Sequence, residues 1–344
     1  MENFNYLYIM KKYTDILSEF FTEDVINDMI NRWNEPHRFW HTLKNHLTHT
    51  LKLIDVHFLT DEHISLYMTD TYKNHIIAAF IHDVVYNPRA NDNEEKSLEY
   101  LYNSTDKITK DNMDFISKLV MCTKSREIPE DKDCRSFWLY DNIIIWGGHL
   151  DELIDWEEKI FKEYQFVSYD VYKTKRIEFL SGEIKHNENI RLLISYIKNK
   201  KIRVGIYSGS FNPFHLGHLD VLQKASLVFD KVIVAYGNNP EKGVRTIDTP
   251  NALNYFQVDS YNGLVTDYIT SIENDKVDVT LVRGLRNGAD LDYESNQLAF
   301  IKDIKPDVKV VYIPCDKKYE HISSSAIRNL EKFDKDLATK YLVK

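Results

Sequence analysis

Residues 204–218 read VGIYSGSFNPFHLGH and join a β-branched run to a glycine- and proline-containing loop and a pair of histidines. The apolar run predicts a strand, the loop predicts a tight turn, and a helix is expected to begin near Gly217. His215 and His218 then lie at the helix start, where backbone N–H groups and the helix dipole favour phosphate oxygens. A histidine in this position is as often a capping or surface residue, so the motif alone leaves both interpretations open.

Three similar runs follow along the chain. They are KVIVAYG at 231–237, VDVTLVRG at 277–284 and VKVVYIP at 308–314. Each ends in glycine or proline, and the spacing between runs leaves room for a helix, which is the pattern of a parallel sheet with helical crossovers. The sequence therefore predicts an α/β, Rossmann-like second half, with ligands bound at the carboxyl ends of its strands.

Polar residues follow each of these strands. They are Lys242 after the second, Arg283, Arg286, Asp290 and Glu294 after the third, and Ser323, Ser324 and Ser325 after the fourth. Taken separately, the lysine could be solvated, the arginines could pair with the acids, and the serines could cap a helix. Their convergence on one sheet edge favours a shared phosphate-binding site.

These segments carry a resemblance. GSFNPFHLGH, the loop lysine, LVRGLRNGADLDYE and YEHISSSAIR resemble the nucleotidyltransferase superfamily with the HxGH signature, and most closely the phosphopantetheine adenylyltransferases, over roughly 203–328. RGLR followed by DxxYE is the specific part, because HxGH and ISSS also occur in nicotinamide and nicotinate mononucleotide adenylyltransferases. Those enzymes are the alternative. The loop sequence SFNP followed by HLGH is more similar to theirs than to the usual loop of the phosphopantetheine adenylyltransferases.

The resemblance implies a reaction and a set of residues. 4'-Phosphopantetheine would attack the α-phosphate of ATP, giving dephospho-coenzyme A and pyrophosphate, with Mg²⁺ accompanying the ATP. The implied catalytic residues are His218, Lys242 and Arg286, and the acceptor would be bound by Ser210, Lys242, Val265 and Arg283. ATP would be bound by Ser210, Phe211, His215, His218, Gly284, Leu285, Arg286, Glu294, Tyr319, Glu320, His321, Ile322, Ser323, Ser324 and Ser325.

A phosphate nucleophile needs no general base at neutral pH, so positioning and charge stabilisation should supply most of the catalysis. The chain also departs from the family. The family has a sizeable helix between the loop lysine and the next strand, whereas the segment between Lys242 and Leu264 is short for it. The family is hexameric, and here we expect a homo-oligomer of unknown size.

Residues 1–199 differ from the second half in composition and in hydrophobic pattern. Glycine and proline are sparse, apolar residues recur at helical spacing, as in 76–81, and ten of the 13 histidines fall in this half. The pattern predicts an all-α domain, 1–199, joined near 199–201 to the α/β domain, 202–344.

A candidate metal site lies in this helical half. His82 and Asp83 are adjacent in the apolar stretch AAFIHDVVYNP, Asp141 interrupts FWLYDNIIIW, and His41 stands in RFWHT. Two imidazoles and two carboxylates suit a divalent cation with open positions for water. The alternative is a core histidine bonded to its neighbour and an aspartate that caps a helix.

Over roughly 36–180, these segments resemble the metal-dependent branch of the HD phosphohydrolase superfamily. The resemblance implies that His41, His82, Asp83 and Asp141 bind a divalent metal ion that activates water against a phosphoester. The family usually has a second histidine one helical turn after the first, but residue 45 is Asn and the nearest histidine, His46, points about 100° away on an α-helix. His46 is therefore not assigned. A non-catalytic regulatory or oligomerising module is the alternative for this half.

Composition limits the partners. Lys and Arg number 44 against 53 Asp and Glu, a net charge of -9, which argues against sequence-independent binding to nucleic acid or anionic membranes. Three scattered cysteines form neither a disulfide framework nor a CxxC site. The amino terminus resembles no signal or transit peptide, so we expect a soluble, cytoplasmic enzyme that acts on small molecules.

Overall fold

The computed structural model describes residues 2–60, 63–238 and 249–343, so Lys242 lies outside the described residues. The chain divides into two compact units: Met1–Glu163 with Glu183–Ile190, and Tyr164–Gly182 with Arg191–Lys344. The predicted domain limits, 1–199 and 202–344, stay a prediction. Of the helices that the described residues form, none combines the length and apolar character needed to cross a bilayer.

The first unit is helical, as predicted. Its helices are α1 (Glu2–Leu17), α2 (Glu23–Arg32), α3 (Thr48–Phe58), α4 (Asp70–Ile81), α5 (Asn93–Ser104), α6 (Lys110–Thr123), α7 (Lys132–Gly147) and α8 (Leu150–Glu163), with a π-helical segment at Leu43–Leu47. Residues 76–81 of α4 are buried on every side of the helix, which makes α4 the central helix of this core. His82 and Asp83 follow directly at its carboxyl end.

Helices α9 (Tyr169–Glu183) and α10 (Asn189–Asn199) lead to the second unit. Its strands are β1 (Ile202–Gly209), β2 (Lys231–Asn238), β3 (Gln257–Asn262), β4 (Val277–Leu285) and β5 (Val310–Pro314). Its helices are α11 (Leu216–Val228), α12 (Val265–Ile272), α13 (Gly288–Ile304), α14 (Ser324–Glu331) and α15 (Lys335–Thr339).

All the described strand pairs are parallel, in the order β3-β2-β1-β4-β5. The predicted parallel sheet is confirmed, and the four predicted runs form β1, β2, β4 and β5. β3 was not predicted, because QVDSYN is polar and this edge strand leaves none of its residues fully buried. The chain passes from β1 to β2 and β3 on one side and then crosses back to β4 on the other side of β1. The strand order therefore reverses at β1 and β4, and a crevice opens at the carboxyl ends of these strands.

A buried lysine explains why the segment that begins at Tyr164 belongs to the second unit. Lys231, at the start of β2, is 2% exposed and donates to the carbonyls of Gln165 and Val167. The Gln165 side chain bonds both to the backbone carbonyl of Asp230 and to the backbone N–H of Val232. These contacts tie the segment before α9 to the sheet.

Burial lowers the pKa of Lys231 to about 7, although the charge of Asp259 opposes the shift. In the unfolded chain this lysine has the ordinary pKa of 10.5. Between pH 7 and 10 the unfolded state therefore binds more protons than the folded state. The free energy of unfolding rises with pH in this range. We expect the free energy of unfolding to rise by about 1.4 kcal/mol more per pH unit in the wild type than in Lys231→Met. Urea unfolding across this range measures the slope, with Lys302→Met as the control because Lys302 is exposed. Equal slopes in all three proteins would contradict the expectation.

Candidate active site

A cavity of about 280 Å³ opens in the second unit at the carboxyl end of the sheet. Its lining residues come from β1, β4, the segment after β5 and the helices that follow these strands. They are Tyr207, His215, Gly217, His218, Val221, Gly284, Leu285, Arg286, Asp290, Tyr293, Glu294, Cys315, Ile322, Ser323 and Ser324. Three of the four predicted strand-end motifs therefore meet at one cavity.

His215 and His218 cap the start of α11 reciprocally. The backbone N–H of His215 donates to Nδ1 of His218 at 3.3 Å, and the backbone N–H of His218 donates to Nδ1 of His215 at 3.4 Å. The two rings stack at 3.5 Å between centroids. Because Nδ1 accepts in both rings, each neutral imidazole carries its proton on Nε2 and can donate it to a ligand.

Burial lowers the pKa of both rings, and the charge of Arg286 adds to the effect. The pKa of His215 falls to about 4, and that of His218 falls well below its ordinary value. His218 is therefore a neutral hydrogen-bond donor at pH 7 in the free protein. A neutral donor can bind a phosphate oxygen without first releasing or gaining a proton.

The arginines pair with the acids that follow them, as the alternative interpretation anticipated. Arg283 binds Glu294 through Nε and Nη2 at 2.6 and 2.8 Å and donates from Nη1 to the Ser208 carbonyl at 3.0 Å. Arg286 binds Asp290 through Nε and Nη2 at 2.9 and 2.8 Å. A guanidinium has five N–H donors, so these pairs orient each arginine and leave donors for phosphate.

The serines divide between capping and lining the cavity. Ser323 caps α14 by accepting from the Ala326 N–H at 3.1 Å, and Ser324 donates to the Pro213 carbonyl at 3.0 Å. Both also line the cavity, whereas Ser325 bonds to Arg328. The N-cap role and the ligand role are therefore compatible for Ser323.

Other predicted residues lie away from the described cavity lining. They are Ser210, Phe211, Val265, Arg283, Tyr319, Glu320, His321 and Ser325. The ring of Phe211 is buried 5.0 Å from the His218 ring, and its backbone is in the left-handed region, with φ 41°. Val265 begins α12 after the edge strand β3. The prediction for Lys242 falls on a residue outside the described ranges.

Several lining residues were not predicted from the sequence, among them Tyr207, Val221, Tyr293 and Cys315. Tyr207 and Val221 read as ordinary core residues, because each belongs to an apolar strand or helix face. Both side chains pack closely against Gly284. A Cβ at this position would lie 3.1 Å from the Val221 side chain and 3.3 Å from the Tyr207 hydroxyl. The glycine of RGLR thus allows close packing beneath the cavity.

Gly217 supports the histidine pair in the same way. A Cβ at this position would lie 3.2 Å from Cε1 and 3.3 Å from Nδ1 of His215. We expect Gly217→Ala to displace that ring by a few tenths of an ångström and to lower the rate of the reaction at this site about tenfold, since a misplacement of 1 Å can cost about 10²-fold. Gly288→Ala is the control, because its Cβ would meet nothing within 4 Å. Steady-state assay of both variants checks this, and equal rates would contradict it.

A second polar cluster lies in the first unit, at the end of α4. Nε2 of His46 lies 3.1 Å from Nε2 of His82, 2.9 Å from Oδ1 of Asp141 and 3.8 Å from Oδ2 of Asp83. His82 Nε2 lies 3.4 Å from Asp83 Oδ2 and 3.6 Å from Asp141 Oδ1. We call these four residues the His–Asp cluster. It contains three of the four predicted ligands, with His46 in addition.

The cluster has the chemistry of a cation site. His82 Nδ1 donates to the Ala79 carbonyl at 2.8 Å, so the ring would bind a cation through Nε2, which faces His46. Burial lowers the pKa of His82, but the charges of Asp83 and Asp141 outweigh burial and raise it to about 9. Burial raises the pKa of Asp141, whereas hydrogen bonds from His46 and His82 hold it well below its ordinary range. His46, His82 and Asp83 offer ligand atoms within 4.8 Å of one another, and Asp141 lies against both histidines, a donor set that suits a divalent ion.

A π-helical segment explains why His46 reaches this cluster. Residues Leu43–Leu47 form a π-helix, in which the Leu47 N–H donates to the Thr42 carbonyl five residues earlier at 3.2 Å. A π turn takes one residue more than an α turn, so the side chains of this segment are not spaced as in an α-helix. The α-helical assumption behind the 100° separation was wrong here.

His41, the fourth predicted ligand, is held beside the cluster. Its Nδ1 lies 2.6 Å from Oε2 of Glu163, and its ring centroid lies 5.4 Å from that of His46. Burial lowers the pKa of His41, but the charges of Glu163, Asp83 and Asp141 raise it above its ordinary value. The His41 ring is therefore near the cluster, but the structure shows no hydrogen bond between His41 and its four residues among those described. The role of His41 as a ligand stays a prediction.

Comparisons with known proteins concern the second unit. Residues 206–330 match the cytidylyltransferase-like family. Phosphopantetheine adenylyltransferase of Clostridium perfringens is 35% identical over 145 residues, which cover 40% of this chain and 86% of that protein. The phosphopantetheine adenylyltransferase of Alkaliphilus metalliredigens is 32% identical over 146 residues, which cover 40% of this chain and 90% of that protein. The enzyme of the same name from Streptococcus pneumoniae is 34% identical over 146 residues, which cover 40% of this chain and 88% of that protein.

The matched residues include β1, α11, β4, α13 and the start of α14, which together form the cavity. Through this part of its sequence, the chain belongs to the phosphopantetheine adenylyltransferase family.

Proposed function

We propose that the second unit transfers AMP from ATP to 4'-phosphopantetheine, giving dephospho-coenzyme A and pyrophosphate. The observation that carries the proposal is the cavity at the carboxyl end of the sheet, where His218, Arg286 and the start of α14 come together. The identity to curated relatives that bear this activity in their name supports the choice of acceptor.

We assign the roles from the donors that the cavity offers. Neutral His218 donates from Nε2 to an oxygen of the α-phosphate, and Lys242 adds positive charge there. Arg286 and the Ser323 and Ser324 hydroxyls bind the departing pyrophosphate. Ser210 and Arg283, with Lys242, hold the acceptor phosphate, and Val265 lies beside the pantetheine arm. Mg²⁺ bound with ATP would neutralise phosphate charge.

The test is an acceptor comparison with the full chain, ATP and Mg²⁺. Pyrophosphate release should depend on 4'-phosphopantetheine and yield dephospho-coenzyme A. Turnover with nicotinamide or nicotinate mononucleotide, and none with 4'-phosphopantetheine, would shift the function to the alternative. Absence of turnover with all three acceptors would overturn the proposal of an adenylyltransferase.

We further propose that the first unit is a metal-dependent phosphohydrolase of the HD type. The observation in favour is the His–Asp cluster, in which His46, His82 and Asp83 offer ligand atoms within 4.8 Å of one another and Asp141 contacts both histidines. His46, His82, Asp83 and Asp141 would hold the ion, with His41 as a further ligand beside them. The bound ion would lower the pKa of a coordinated water for attack on a phosphoester.

A phosphatase screen with Mn²⁺ tests this second activity. Phosphomonoesters, nucleotides and coenzyme A intermediates are offered to the wild type and to Asp83→Ala. Phosphate release that Asp83→Ala abolishes would support the hydrolase. Mn²⁺ binding without release from any substrate would favour a regulatory or oligomerising module, and equal Mn²⁺ content in both proteins would remove the site.

A further inference from the structure

Glu163, the last residue of α8, is a buried carboxylate that neither proposed reaction uses. It is 1% exposed, and each of its oxygens is fully engaged. Oε1 accepts from three successive backbone N–H groups, those of Phe39, Trp40 and His41, at 2.7, 2.7 and 2.9 Å. Three consecutive N–H groups aimed at one oxygen form a nest for an anion.

The second oxygen of Glu163 holds a histidine and a tyrosine. Oε2 accepts from His41 at 2.6 Å and from the Tyr86 hydroxyl at 2.7 Å. The Tyr86 ring also stacks on the His41 ring, with 4.4 Å between centroids and 27° between planes. Glu163 and Tyr86 therefore fix both the position and the plane of the His41 imidazole.

This arrangement determines which nitrogen of His41 is available. The carboxylate of Glu163 can only accept, so Nδ1 of His41 must carry the proton it shares. The two ring nitrogens diverge, so Nε2 points away from Glu163 and carries the lone pair when the ring is neutral. The His46 ring of the His–Asp cluster lies 5.4 Å away, centroid to centroid. A carboxylate behind a histidine in this way orients the ring and increases its basicity as a ligand.

We propose that Glu163 is a positioning residue that holds His41 as the Nδ1–H tautomer, so that Nε2 of His41 completes the cation site of the His–Asp cluster. The inference rests on the proposed metal-dependent function of the first unit. Glu163 cannot itself bind the cation, because its acceptor sites are already used by the nest, His41 and Tyr86. Its effect on the site therefore passes through His41.

The test separates this role from simple structural support. In Glu163→Gln the amide oxygen can still accept from the nest, but the NH₂ group now faces His41 and donates to Nδ1, which moves the ring proton to Nε2. We expect the Mn²⁺ affinity of the full chain, measured by calorimetry, to fall about 10- to 100-fold. Glu157→Gln is the matched control, because Glu157 is also a buried glutamate of α8 and should leave the affinity unchanged.

Two further measurements make the outcome decisive. Long-range ¹H–¹⁵N spectra of the metal-free protein, labelled at histidine, should report Nδ1–H at His41 in the wild type and Nε2–H in Glu163→Gln. In a His41→Ala background, Glu163→Gln should change Mn²⁺ affinity no further. Additive losses, an unchanged tautomer or an unchanged affinity would each overturn the inference. A wild type that binds no Mn²⁺ would instead overturn the proposed hydrolase, since the tautomer measurement needs no metal.

Discussion

His218→Ala is expected to lower kcat for adenylyl transfer by about 10²- to 10³-fold, with a smaller change in KM for ATP. The reason is geometric: the stacked pair with His215 fixes Nδ1 as an acceptor and directs Nε2–H to the cavity. Such a donor acts on charge that develops at the α-phosphate during transfer, and removing one donor of this kind costs about 3 to 4 kcal/mol in the barrier.

The control for this variant is Leu227→Ala on the same helix. Leu227 is 76% exposed near the end of α11, so its truncation should leave the transfer rate at the wild-type level. A loss in His218→Ala that appeared only as weaker ATP binding would contradict the assignment, because the donor would then contribute equally to the ground state and the transition state.

The protonation state of His218 adds a pH dependence to the same prediction. Burial and the charges of His215 and Arg286 hold its pKa well below the ordinary value of 6.5. The neutral donor is therefore already present at pH 6. Titration of His218 should cause no change in kcat/KM for ATP between pH 6 and 8. A loss of activity above pH 6.5 that disappears in His218→Ala would contradict a neutral donor.

The strand-end site could be predicted because its signals are local. Apolar runs that end in glycine identify β1, β2 and β4, and the carboxyl ends of parallel strands share one sheet edge by topology alone. β3 gives no such signal, because an edge strand needs little apolar sequence, and Tyr261 on it bonds to Ser208 of β1 at 2.7 Å through a long-range contact. Pairing of this kind is decided by tertiary packing and leaves no periodic pattern.

Sequence analysis anticipated one contact at the two proposed sites and missed another. Arg283 and Glu294 are eleven residues apart, and only the crossover from β4 into α13 brings them into a bidentate pair. His46 was set aside because α-helical geometry was assumed, whereas the chain forms a π turn at that point. Single π turns are rare and occur often at functional sites, so a departure from regular spacing can itself mark a site.

His46→Ala is the second large prediction, and it tests the π-helical placement directly. His46 is 3% exposed and lies 2.9 Å from Asp141 and 3.1 Å from His82, which places its ring nitrogen beside the other proposed cation ligands. We expect the Mn²⁺ affinity of the full chain to fall by more than about 100-fold. This loss exceeds the one expected for Glu163→Gln, which removes a residue that only orients a ligand. Calorimetry or dialysis followed by metal analysis measures it.

His57→Ala is the matched control, since His57 is a histidine of α3 that stacks on His63 at 4.4 Å between centroids. It should bind Mn²⁺ as the wild type does, and adenylyl transfer should persist in both variants if the two sites work independently. Wild-type affinity in His46→Ala would exclude it as a ligand. His41, which stands where the family's first histidine is expected, would then have to supply the second imidazole, and the π turn would have no part in cation binding.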